Sequence, residues 1–139
     1  MVDQNCAYCM EGELVAKFGI KICELETSKV YLFKEQSHPG RCIVAHKKHV
    51  GDMNELTAEE RAAYFEDVAR VARAIMNAFN PDKVNYGAYG DTGHHLHFHL
   101  CPKYKDEYEW GGVFLMNPDK KYLTDEEYAA MIEKIKANL

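Results

Sequence analysis

The chain has 139 residues, 47% of them hydrophobic and 28% charged, with a formal net charge of −5 at pH 7. These are globular proportions that exclude a disordered, collagenous or coiled-coil chain, and the acidic balance argues against a nucleic-acid polymer or a membrane surface as partner. A chain this long buries about two-thirds of its unfolded surface, enough for a single domain over residues 1–139.

In chain order, Met1 to Cys6 has no charged region followed by an apolar stretch, and no apolar run approaches the roughly 20 residues that span a bilayer. A cytoplasmic protein is therefore expected, in a compartment where thiols stay reduced. Cys6-x-x-Cys9 has the spacing of metal or redox chemistry, whereas Cys23 and Cys42 lie in apolar runs and read as small buried hydrophobes. Lys17 to Phe33 alternates and is rich in β-branched and aromatic residues, with a break at Glu26-Thr27-Ser28, which predicts two strands joined by a hairpin. Ser37-His38-Pro39-Gly40 is turn chemistry, and Arg41 to His46 reads as a third strand.

Thr57 with Glu60 forms a capping box and opens a helix whose stripe runs through Tyr64, Val68, Val71, Ala72, Ile75 and Phe79 until Asn80-Pro81 ends it. Val84 to Ala88 is a short fourth strand, and His94 to Cys101 a fifth, stopped by Pro102. Lys103 to Lys121 is irregular around Trp110-Gly111-Gly112 and reads as a lid or a partner-contact loop. Thr124 with Glu127 caps a C-terminal helix. The predicted fold is α+β, a mostly antiparallel five-stranded sheet with one long central helix and a C-terminal helix on one face.

Four of the seven histidines, His94, His95, His97 and His99, fall within six residues. In a strand, alternate side chains share a face, so His95, His97 and His99 point one way, while His94 joins Leu96, Phe98 and Leu100 on the inward apolar face. Three imidazoles on one face repeat at about 6.6 Å and span about 13 Å, too far for all three to hold one small metal ion. Two arrangements stay open: a zinc pair at His95 and His97, or one nucleophilic histidine supported by the others.

His95-Leu96-His97-Phe98-His99-Leu100-Cys101 resembles the His-x-His-x-His-x-x signature of the histidine triad family of nucleotide hydrolases and transferases. Upstream, Phe33-Lys34-Glu35 and the run from Pro39 to His49 resemble that family's Phe-x-Asp and Pro-Gly-His-…-Pro-Lys-x-His segments, and Gly90-Asp91-Thr92 its Gly-Gln-Ser/Thr turn. The resemblance implies a homodimer of α+β protomers acting on a nucleotide, purine favoured, at its α-phosphate. It implies that His97 attacks phosphorus and carries a nucleotidyl group, released to water in a phosphoramidate or dinucleoside polyphosphate hydrolase, or to another acceptor in a transferase. A catalytically slow nucleotide-binding module is the further alternative. His99 and the Thr92 hydroxyl would bind the phosphate oxygens at the turn formed by Gly90 and Asp91. Glu35 would hold the ribose hydroxyls, and Phe33 would wall the base or pack in the core. A structural zinc would be held by Cys6, Cys9, His49 and His95, as in zinc-containing members of the family.

The chain departs from the family pattern in several places. Arg41 replaces a histidine and either grips phosphate or pairs with a carboxylate. His46 replaces a proline and reads as an exposed strand residue, His94 is an additional histidine, and Asp91 replaces a glutamine and puts negative charge beside the phosphate. The loop before Thr92 is short, so the family's nucleotide-binding Asn is not placed, and Asn85 reads better as a loop or strand polar residue.

Overall fold

A computed structural model describes residues 2–139. Short helices α1 (Ala7–Met10) and α2 (Gly12–Ala16) precede strands β1 (Gly19–Glu24), β2 (Ser28–Phe33) and β3 (Cys42–His46). A 3-10 turn at Met53–Glu55 leads into helix α3 (Ala58–Phe79), followed by β4 (Lys83–Gly87), β5 (His97–Lys103) and helix α4 (Asp125–Lys136). The strands form one antiparallel sheet in the order β1-β2-β3-β5-β4, the predicted α+β class.

Local sequence explains most boundaries. Thr57 and Thr124 each accept a hydrogen bond from the backbone N–H three residues on, and Glu60 and Glu127 return one to the cap, so both long helices start at capping boxes. Asn80, in the left-handed region at φ 50°, closes α3. Gly40 needs its glycine twice over. Its φ is +95°, and an added Cβ would stand 2.6 Å from the Phe79 ring.

The sheet is buried on both faces. On one, Val30, Leu32, Cys42, Val44 and Leu100 pack against Tyr64, Val68, Val71 and Ile75 of α3 and Tyr128 and Ile135 of α4. The buried Asp67 carboxylate of α3 accepts from the Thr27 N–H and from the hydroxyls of Thr27 and Ser28, which pins the β1–β2 turn to the helix. On the other face Tyr31, Phe33, Ile43 and Ala45 pack against Tyr8 of α1 and Val15 of α2. The two long helices share one face as expected, and the second face is covered as well. Two short helices that no long periodic stripe announces cover the second face, and Tyr8 and Val15 supply its apolar lid.

Three expectations change. The fifth strand begins at His97 rather than His94, because Leu96 bonds outside the ladder, its N–H to the Val50 carbonyl and its carbonyl from the His46 N–H. It also runs through Pro102, since β3 pairing ends at Leu100 and leaves one side of β5 without a ladder for proline to interrupt. His46 is buried, not exposed. Its Nδ1 accepts from the Lys48 N–H, and its ring packs edge-on against Tyr64 at 5.2 Å.

Candidate active site and metal centre

The register of β3 and β5 places the histidines. Ala45 pairs with His97 and Ile43 with His99, so both imidazoles emerge on the face of Ile43 and Ala45, away from α3, while Phe98 and Leu100 point to the helices. They open onto a cleft of about 900 Å³. Its floor is His95, His97 and His99; its sides are Phe33, Tyr8 and Phe18, the turn from Asp91 to Gly93, and a strap, residues 113–117, from the irregular segment after β5.

Each of the three imidazoles is fixed through one ring nitrogen. The His97 Nδ1 lies 2.6 Å from the His95 carbonyl oxygen. A carbonyl only accepts, so Nδ1 carries the proton and the lone pair sits on Nε2. Burial lowers the pKa of His97 against the opposing pull of that carbonyl, so the ring is neutral near pH 7. Tyr8 stacks over it at 4.9 Å between centroids. His99 is wired in the opposite sense. Its Nδ1 faces the Arg41 guanidinium, 3.0 Å from Nη2 and 3.3 Å from Nε, and burial followed by the Arg41 charge pushes its pKa down to about 2.

His95 belongs to a second cluster. Its Nε2 lies 2.6 Å from the His46 carbonyl, which makes that nitrogen the donor and frees Nδ1. That Nδ1 stands 3.3 Å from the Cys6 Sγ, 3.6 Å from the Cys9 Sγ and 3.1 Å from the His49 Nδ1, and Cys9 Sγ is 3.2 Å from the same His49 nitrogen. The four donor atoms lie within 4.8 Å of one another. Tetrahedral zinc with two thiolates and two imidazoles has ligand separations of about 3.3–3.8 Å, so this quartet is of the size and chemistry to hold such an ion. The His46 carbonyl supplies the outer partner that orients a ligand imidazole.

The other predicted site residues divide. Thr92, Asp91 and Phe33 line the cleft, whereas Gly90 borders an adjoining hollow beside Gly51. Glu35 does not line the cleft. The residue is 2% exposed, and its carboxylate accepts from the Ser37 N–H and hydroxyl and from the N–H groups of Lys120 and Lys121, so it anchors the chain that follows the strap. Burial opposes its ionisation, and the Ser37 and backbone hydrogen bonds outweigh burial and hold the carboxyl below its ordinary range. Nor does Arg41 line the cleft or pair with a carboxylate. It is fully buried behind His99. His94 is exposed rather than inward, because strand alternation does not reach back past His97; its ring lies over Gly51 at the cleft edge.

Sequence reasoning missed Tyr8 and Phe114. Phe114 lies 4.9 Å from the Arg41 guanidinium and 6.4 Å from the His99 ring. An aromatic inside the Cys6-x-x-Cys9 spacing was the available signal for Tyr8; nothing local marks Phe114.

The antiparallel sheet and the row of imidazoles along one cleft define an α+β protein with a histidine-lined site. Residues 19–106 match the HIT domain model, and the chain belongs to the HIT family. It is 26% identical over 144 residues to the adenosine 5'-monophosphoramidase of Schizosaccharomyces pombe, covering 97% of this chain and 98% of that one. A histidine triad protein of Sinorhizobium meliloti superposes with a TM-score of 0.84 at 23% identity, over 92% of this chain and 95% of the other. A zinc-bound histidine triad family protein of Mycobacterium smegmatis superposes with a TM-score of 0.67 at 21% identity, over 95% and 94%. No helix among the described residues is long and apolar enough to cross a membrane.

Proposed function

We propose that the protein is a nucleotide hydrolase that cleaves at the α-phosphate of a nucleotide phosphoramidate or dinucleoside polyphosphate, with His97 as nucleophile. The observation that carries this reading is the tautomer of His97. With Nδ1–H held by the His95 carbonyl, the unshared pair of a neutral Nε2 is free to attack. Attack forms a phosphorus–nitrogen bond and breaks the bond to the leaving group, which departs with a proton taken from solvent; water then cleaves the nucleotidyl-histidine, releases a proton back to solvent and restores the neutral ring. The cation that forms on His97 is stabilised by the carbonyl already bound to Nδ1. The His99 Nε2–H, the Thr92 hydroxyl and the turn of Gly90 and Asp91 bind the phosphate oxygens, and Phe33 walls the nucleotide.

Cys6, Cys9, His49 and His95 would hold a structural zinc, which ties α1 to the sheet by closing all four ligand positions rather than activating water. The relative named as an adenosine 5'-monophosphoramidase supports a purine nucleotide as substrate. A homodimer working in the cytoplasm and a single domain over residues 1–139 complete the reading. A slower, nucleotide-binding role or transfer to an acceptor other than water is the second reading, favoured by the Asp91 carboxyl at the cleft wall, where negative charge opposes a phosphate. Purified protein incubated with adenosine 5'-phosphoramidate and with diadenosine polyphosphates is expected to release adenosine monophosphate. Tight nucleotide binding without release from any of these substrates favours the second reading instead.

A further inference from the structure

Arg41 is a buried cation with no carboxylate in direct contact, although Glu35 and Glu109 act on it from farther off. It is fully buried, and among the described residues it makes no ion pair with a carboxylate. A buried charge needs other compensation, and the surroundings supply it from three directions. Two guanidinium nitrogens, Nε and Nη2, point at the His99 Nδ1. Nη1 donates to the Leu115 carbonyl at 3.1 Å, and Nη2 to the Met116 carbonyl at 2.9 Å. The guanidinium carbon lies 4.2 Å from the Phe33 ring centroid and 4.9 Å from that of Phe114. Every polar partner is an acceptor, and one of them is a catalytic imidazole.

A guanidinium donates only, accepts nothing and does not lose its proton. The ring nitrogen facing it therefore has to be an unprotonated acceptor, which leaves the single N–H of His99 on Nε2, the nitrogen turned away from Arg41. A side chain able both to donate and to accept, such as histidine or glutamine, imposes no such choice. The same cation grips the carbonyls of the strap that walls the cleft, so the ring and the wall are set by one group.

We propose that Arg41 is a positioning residue that locks His99 as a neutral Nε2–H donor toward the cleft and fastens the Leu115–Met116 strap beside it. This assigns His99 a fixed hydrogen bond to phosphate rather than proton transfer, and it rests on the reading of the cleft as a phosphate site. Arg41 acts through His99 and does not touch substrate.

The test combines a spectroscopic readout with kinetics on the full chain. Long-range proton–nitrogen correlation spectra of histidine-labelled protein, with His99 assigned by its loss in His99→Asn, report which ring nitrogen carries the proton. The wild type is expected to show His99 protonated on Nε2 alone. Arg41→Gln and Arg41→Met are expected to give a mixture of tautomers and to lower kcat about 10- to 100-fold, as when other partners that orient a functional histidine are lost, with KM changed less than threefold. Arg41→Lys, which still offers only donors, is expected to keep the Nε2–H tautomer and to recover part of kcat. His99 protonated on Nδ1 in the wild type overturns the proposal, as does an unchanged tautomer and rate in Arg41→Gln. If Arg41→Gln and Arg41→Met do not fold, Arg41→Lys decides, because an Nδ1–H ring there also overturns it. Absence of hydrolysis by the wild type sinks the functional reading and leaves the tautomer result standing.

Discussion

The two ends of the histidine run are held by opposite means. At one end, His95 gives its N–H to the His46 carbonyl and turns Nδ1 to two thiols and a second imidazole, a set suited to a cation. At the other, His99 turns its Nδ1 to a guanidinium already in place. Between them His97 reverses the pattern, giving its Nδ1–H to a carbonyl and leaving Nε2 open to the cleft. The chemistry each imidazole offers is set by what occupies its other nitrogen, so three identical side chains two residues apart acquire different capacities.

Replacing the middle ring is expected to have the largest effect. His97→Ala should lower turnover of a nucleotide phosphoramidate by at least about 10³-fold while nucleotide binding stays measurable by calorimetry. Full rate in that variant removes His97 as nucleophile. Next in size is the loss of whatever binds the quartet. Chelation, or Cys9→Ser, should lower stability by about 3 kcal/mol, the linkage expected when a ligand near 100 times its dissociation constant is withdrawn, or roughly 10 °C in melting temperature. Metal analysis of the purified chain should find close to one zinc equivalent, and a metal-free protein with unaltered melting sets this end of the comparison aside.

Glu35 sharpens the distinction between contact and support. If its carboxylate secures the chain after the strap, Glu35→Ala should cost about 1–2 kcal/mol in thermal unfolding, by removing the acceptor shared by the Lys120 and Lys121 N–H groups. Adenosine monophosphate should then bind with nearly the same affinity. A large loss of affinity with unchanged stability would falsify the support role.

The smallest effect expected is on pH dependence. His97 and His99 have folded pKa values below the roughly 6.5 of an unfolded imidazole, with His99 down to about 2. Below that pH the unfolded chain binds more protons than the folded one, so their contribution is complete above about pH 6.5 and declines as the pH falls toward the folded values. Melting temperature should drop steadily between pH 6.5 and 5. A flat profile there means the rings are not held neutral.

Much of the frame was legible in the residues. Period-2 and period-3.6 patterns and the capping boxes at Thr57 and Thr124 located the five strands and both long helices to within a few residues, because those signals are local. The short helices α1 and α2 were not legible, since four or five residues carry no period and their stability comes from what Tyr8 and Val15 cover. His94 shows the limit of alternation, which assigns a face only where the ladder continues.

The sequence by itself determined which groups were available: a CxxC pair, alternating histidines, a glycine-bounded turn and an arginine where a histidine is usual. The resemblance to the histidine triad motifs carries over residue by residue, and through it the quartet of Cys6, Cys9, His49 and His95 and the nucleophile candidate could be named without coordinates. Only the tertiary structure decided what Glu35 and Arg41 do, because the buried carboxylate and guanidinium are held by partners 58 to 86 residues away, Lys121, Leu115 and His99 among them. Hydrogen-bond direction and burial belong to the folded packing, and these turned two expected ligand contacts into supports for the strap and the imidazole beside it.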